Sequence, residues 1–106
     1  MSEMREIDLV VVTMAFETTD RAVLESLLAR YVVLARGHDG CRNIDLLTSA
    51  TRPGRYLVVQ KWDTPESQRA HFDSDEMVAL AEGCRGILSS PAEIDLYDPI
   101  SAHDLT

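Results

Sequence analysis

The chain has 106 residues, of which 45% are hydrophobic and 26% charged. That is the length and balance of one globular domain and excludes a disordered or low-complexity chain. Ten basic residues stand against eighteen acidic ones, a formal net charge of −8. Such a surface repels phosphate backbones and anionic bilayers, so neither nucleic acid nor membrane is expected as a partner.

The opening MSEMREIDLVVV has an apolar run but no small-residue cleavage site, and no run approaches the length of a membrane span. The expected location is the cytoplasm. Cys41 and Cys84 lie far apart and outside any C-x-x-C spacing, so free thiols are expected rather than a disulfide or a zinc site. No repeat or linker divides the chain. A single domain over 1–106 is expected, with its core at about 7–98 and a short polar tail from Pro99 to Thr106.

Ile7 to Phe16, IDLVVVTMAF, reads as a first strand buried on both faces. Thr18, Thr19 or Asp20 can cap a helix whose apolar stripe runs Leu24, Leu27, Leu28, Tyr31 and Leu34. Gly37 and Gly40, in RGHDG, stop it. Cys41 to Thr48 forms a second strand, with Ile44, Leu46 and Thr48 on one face. Pro53-Gly54 turns the chain into a third strand, Arg55 to Trp62. Thr64 or Asp63 caps the next helix, with Pro65 in its first turn. Helical spacing continues through Met77, Leu80, Ala81 and Cys84, with a break near Asp73-Ser74-Asp75. Ser90-Pro91 marks a loop, and Ala92 to Tyr97 forms a last strand.

The order β-α-β-β-α-β predicts an α+β, ferredoxin-like domain. Its four-stranded antiparallel sheet carries the helices on one face. The first and third strands are apolar on both faces: Val10 and Val12 against Leu9 and Val11, and Leu57 and Val59 against Tyr56 and Val58. Helices cover one face only. A second copy is expected to cover the other, giving a homodimer closed into an α+β barrel.

On the third strand, Tyr56, Val58, Gln60 and Trp62 alternate onto one face. One turn after Ser67, His71 is placed to point back at that strand with Phe72 beside it. A lone tryptophan usually packs, and a lone histidine is often structural. His38 reads as a solvated loop residue. Glu66, Asp73, Asp75, Glu76 and Glu82 read as a solvated helix face. The spacing of His38, Asp39 and Asp45 matches no established metal site, so no metal is expected. No G-x-G-x-x-G turn or axial ligand is present, so neither flavin nor haem is expected.

Several short features occur in a telling order: Gly40-Cys41 entering the second strand, Trp62 ending the third, Pro65-Glu66, Ala70-His71, and Ser90-Pro91 before the last strand. In that order, from about Ile7 to Asp98, the chain resembles the antibiotic biosynthesis monooxygenase (ABM) family. The resemblance implies a dimeric α+β barrel. It also implies a cofactor-independent monooxygenase that oxidises a small aromatic substrate (a quinol, anthrone or polyketide-like compound) with molecular oxygen.

For that chemistry His71 is the candidate catalytic residue, with imidazole as the base near neutral pH. Trp62, Gln60, Tyr56 and Phe72 are the candidate substrate contacts. Two departures narrow the resemblance. An asparagine and a tyrosine of a polyketide-oxygenating member fall at Val58 and Gln68. The histidine ligand of the haem-degrading branch falls at Ala81, which cannot bind iron. The alternatives are a non-catalytic small-molecule-binding or stress-response module on the same dimeric scaffold, or a small-molecule isomerase or signal-processing enzyme.

Overall fold

The computed structural model describes residues 8–101. The proposed first residue of strand one, Ile7, and the end of the tail lie outside that range. The elements are β1 (Val10–Glu17), α1 (Arg21–Ala35), β2 (Cys41–Thr48), β3 (Arg55–Trp62), α2 (Pro65–Phe72), α3 (Asp75–Cys84) and β4 (Glu93–Tyr97). All strand pairs are antiparallel and the sheet order is β2-β3-β1-β4. This is the ferredoxin-like arrangement. Consecutive strands β2 and β3 form the hairpin, and each helical segment crosses over one strand.

Strict alternation sets the layers. Val10, Val12, Met14 and Phe16 of β1 are buried, as are Tyr56, Val58, Gln60 and Trp62 of β3. Their partners in the register lie opposite them: Val12 faces Gln60, and Met14 faces Val58. α1 adds Leu24, Leu28, Tyr31, Val32 and Ala35, and α3 adds Leu80 and Cys84. The stripe of α1 is rotated from the predicted one: Leu34 is 48% exposed, and Val32 and Ala35 take its place in the core.

The expected break after α2 divides the region into two helices. Thr64 caps the first by accepting from Ser67 N, and Ser74 caps the second by accepting from Met77 N. Asp20 occupies the N-cap of α1 without a side-chain bond; instead its N–H donates to Thr18 Oγ1 at 2.9 Å. After α1 the chain turns through 36–40. Gly40 has φ +83°, and a Cβ there would lie 2.3 Å from Ser67 Oγ. Only glycine fits both the left-handed backbone and the close approach. Its carbonyl accepts from Asp63 N at 2.8 Å, which pins this loop to the end of β3.

Among the described residues, no helix covers the other face of the sheet. Val11, Thr13, Ala15, Leu57 and Val59 are half-buried there, and Leu47 and Tyr97 are exposed. At the β4 edge Ile94 and Leu96 share the helix side with Met14 and Val12, yet both are exposed. The helical layer stops short of them.

Candidate active site

β3 and α2 bring Trp62 and His71 together, and α1 adds a third member. The indole and imidazole rings stack with centroids 4.6 Å apart and planes 25° from parallel. Trp62 Nε1 donates to Gln60 Oε1 at 2.8 Å. Gln60 Nε2 donates to the Tyr31 hydroxyl at 2.6 Å, and that hydroxyl lies 2.6 Å from His71 Nε2. None of the four residues is more than 3% exposed. A continuous polar chain thus crosses a core otherwise built of Val12, Leu28, Ile44 and Val58. Burying four polar side chains is costly unless each is paired. Each polar side-chain atom of Trp62, Gln60 and Tyr31 has a hydrogen-bond partner, whereas His71 Nδ1 is buried with none among the described residues.

Burial decides the charge states. Desolvation, with His38 beside it, lowers the His71 pKa from 6.5 to about 4, outweighing the opposing pull of Glu76. At neutral pH the imidazole is therefore uncharged. Burial also raises the Tyr31 pKa above that of an ordinary phenol, so Tyr31 keeps its O–H.

His38 is not the solvated loop residue expected. Its ring meets His71 edge-on at 4.7 Å and Trp62 at 6.4 Å, and its Nε2 lies 2.9 Å from Glu76 Oε1. The glycine-bounded turn folds back over the site instead of extending into water. Glu76, expected on a solvated face, is its partner, and the bond to His38 is the main cause of its lowered pKa.

His71, Trp62 and Gln60 are therefore in one cluster. Two other candidates are elsewhere. Tyr56 lies six residues back along β3, about 20 Å at the rise of a strand, and its hydroxyl donates to Glu25 at 3.0 Å. Phe72 is 48% exposed. It lines an outer groove of about 380 Å³ with Gln68, Arg69, Ile94 and Leu96. Tyr31, His38 and Glu76 belong to the cluster, although the sequence reads as placing them in an apolar stripe, a solvated loop and a solvated helix face. Tyr31 sat within the apolar stripe of α1; its hydroxyl was the one cue that it did more than pack.

Further along the same sheet face lies an apolar cavity of about 300 Å³, lined by none of the cluster residues. Met14 and Phe16 floor it, Leu80, Ala81 and Cys84 of α3 roof it, and Ala92 and Ile94 close its β4 side. Its volume is at the lower end of the range for small-molecule sites. A second cavity of about 240 Å³ between α1 and α3 touches the cluster through Tyr31 and Glu76. Among the described residues, no group of three or more His, Cys, Asp or Glu side chains is arranged to hold a metal ion. Among the same residues, no helix is long and apolar enough to cross a membrane.

The fold places the chain among ferredoxin-like α+β proteins, and its sequence narrows that class. Residues 9–83 match the family model of antibiotic biosynthesis monooxygenases, and the chain belongs to that family. Solved structures agree in fold. A candidate antibiotic biosynthesis monooxygenase from Nitrosomonas europaea is 14% identical, with a TM-score of 0.84 over 95% of this chain and 99% of that one. A Mycobacterium tuberculosis protein is 22% identical, with a TM-score of 0.83 over 91% and 99%. SnoaB, a cofactor-independent oxygenase from Streptomyces nogalater, is 19% identical, with a TM-score of 0.79 over 89% and 95%. No curated protein matches the sequence significantly.

Proposed function

We propose that the protein is a cofactor-independent monooxygenase acting on a small aromatic quinol, anthrone or polyketide-like substrate. One observation carries this reading: a buried polar chain, expensive to build, ends on a neutral imidazole with an unserved nitrogen. A packing histidine needs no such chain. Family membership and the likeness to SnoaB support the same chemistry.

In this reading the substrate ring sits at the Met14 and Leu80 side of the apolar cavity, Leu80 also lining the smaller cavity that touches Tyr31, and its oxygen is turned toward His71. Trp62 and Gln60 stand behind the imidazole; Tyr56 and Phe72 take no part. For an anthrone, loss of a proton gives an anion that passes one electron to molecular oxygen. The radical pair combines to form a C–O bond, the peroxide anion takes up a proton from water, equal to the one lost at the start, and the resulting hydroperoxide loses water. One oxygen atom ends as the product carbonyl and the other as water, so no external reductant is needed. The protein contributes a dry site, a fixed ring position and a hydrogen-bonding partner for the anion.

The working unit in this reading is a homodimer packed through the open sheet face, and its location is the cytoplasm. The half-buried Val11, Leu57 and Val59 with exposed Leu47 and Tyr97 favour that packing. Light scattering at micromolar concentration is expected to give twice the chain mass.

The test is oxygen uptake by the purified protein with a panel of anthrones and quinols and no added cofactor. Turnover of at least one substrate is expected, falling about 100-fold or more in His71→Ala. Uptake with none, or uptake unchanged in His71→Ala, contradicts the reading. A second reading, a non-catalytic binding module, is favoured by one fact: His71 and Trp62 are sealed from solvent and neither lines the apolar cavity. Tight binding of the same aromatics without oxygen uptake would select it.

A further inference from the structure

The hydrogen bonds of the buried chain have a direction, and one residue sets it. An indole N–H can only donate. Trp62 Nε1 therefore fixes Oε1 of Gln60 as the acceptor, and the same amide must present its N–H₂ to Tyr31. The Tyr31 hydroxyl meets two polar partners among the described residues, Gln60 and His71. It accepts from the first, so its own proton points to the second. His71 Nε2 must then supply a lone pair, which leaves the ring proton of the neutral imidazole on Nδ1. That N–H has no partner among the described residues, in a side chain 2% exposed.

We propose that Trp62, Gln60 and Tyr31 are positioning residues that lock His71 into its Nδ1–H tautomer, so that His71 acts as a hydrogen-bond donor to a bound phenolate and not as a base. This rests on the functional reading above and assigns the catalytic residue a different role from the one its identity suggests. The basic nitrogen is already occupied by the Tyr31 proton. An imidazole with a pKa of about 4 would also take a proton from an ordinary phenol with an equilibrium constant near one in about a million. As a donor, the same group lowers the pKa of a phenol bound against it, so the phenol is taken up as its anion and leaves its proton in bulk water. A fixed donor aimed at developing negative charge loses nothing to reorganisation in a dry site.

The polarity is reversible in principle, which makes it testable. Without the indole N–H the Gln60 amide is free to flip. Its carbonyl can then accept from Tyr31, Tyr31 can accept from His71 Nε2–H, and Nδ1 becomes the lone pair. Long-range ¹⁵N–¹H correlation spectra of the wild-type protein at pH 7 are expected to show His71 protonated at Nδ1 alone. An Nε2–H tautomer or an imidazolium would overturn the proposal. Trp62→Phe is expected to populate both tautomers; an unchanged spectrum would overturn the role of the indole. Should that variant fail to fold, Tyr31→Phe keeps the ring and removes the donor, and the Nε2–H form is expected to rise.

The donor itself is probed with 4-nitrophenol, whose absorbance reports ionisation. Its anion is expected to bind wild type about tenfold more tightly than His71→Phe, which keeps a ring but has no donor, the effect of one charge-assisted bond. Equal binding would overturn the donor role. The tautomer is read without turnover, so a protein that consumes no oxygen can still pass this test, and an active oxygenase can fail it.

Discussion

The two ends of the helix-covered sheet face are built on opposite plans. At the Trp62 end the space is filled, and the side chains there fix one another through three hydrogen bonds and a ring stack. At the Phe16 end the lining is apolar and a cavity of about 300 Å³ is left open. Polar groups at the filled end are held where they cannot adapt, whereas the open end makes no directional demands on what enters. Orientation and capacity are thus assigned to different residues, and substitutions at each end should fail differently.

The largest effect should come from breaking the filled end. Trp62→Ala removes a side chain with no exposure and strips Gln60 Oε1 of its donor. A loss of about 3–5 kcal/mol is expected, read from urea midpoints. Acid should find the same end. His71 has its folded pKa lowered to about 4 from 6.5, so the unfolded chain binds more protons between those values. Its stability contribution is complete above about pH 6.5 and is lost as pH falls, by about 3 kcal/mol near pH 4. Urea titrations of wild type and His71→Gln should show that slope in the first and not in the second.

Gly40→Ala tests the loop that carries His38 over the site. The left-handed backbone and the contact with Ser67 should together cost about 2–4 kcal/mol. The open end should behave otherwise. Ala92→Leu fills the apolar cavity, so stability should stay within about 1 kcal/mol of wild type while oxygen uptake falls. Equal losses of stability and uptake would erase the distinction between the ends. The smallest effect is expected for Glu76→Gln. The bond to His38 depresses the Glu76 pKa, so the pair stabilises above the unfolded carboxylate range. That difference between variant and wild type should vanish as pH falls through the folded value.

Much of the fold was legible because period alone specifies it. Alternation in β3 placed Tyr56, Val58, Gln60 and Trp62 on one face, and the structure has them there. The Asp73-Ser74-Asp75 break was legible as well, because Ser74 is a capping residue. The rotation of the α1 stripe was not, since Val32 and Leu34 are both apolar and only packing against the sheet chooses between them. The pairing of Trp62 with His71 could be anticipated from the short turn between β3 and α2. Tyr31 and His38 could not. Each reaches the cluster across a long sequence separation, and nothing local distinguishes a core tyrosine from one that passes on a proton's direction. The open sheet face was read from apolar residues on both sides of β1 and β3, and the half-buried Val11, Leu57 and Val59 are what that reading requires.

Oxygenation in the proposed reading requires the two ends to meet at one substrate. The most direct measurement is a crystal structure with an unreactive naphthol bound. The ring is predicted to lie over Met14, beneath Leu80, with its oxygen within hydrogen-bonding distance of His71 Nδ1. A naphthol seated instead in the outer groove of Phe72 and Leu96, or one in the cavity with its oxygen turned away from His71, would contradict it.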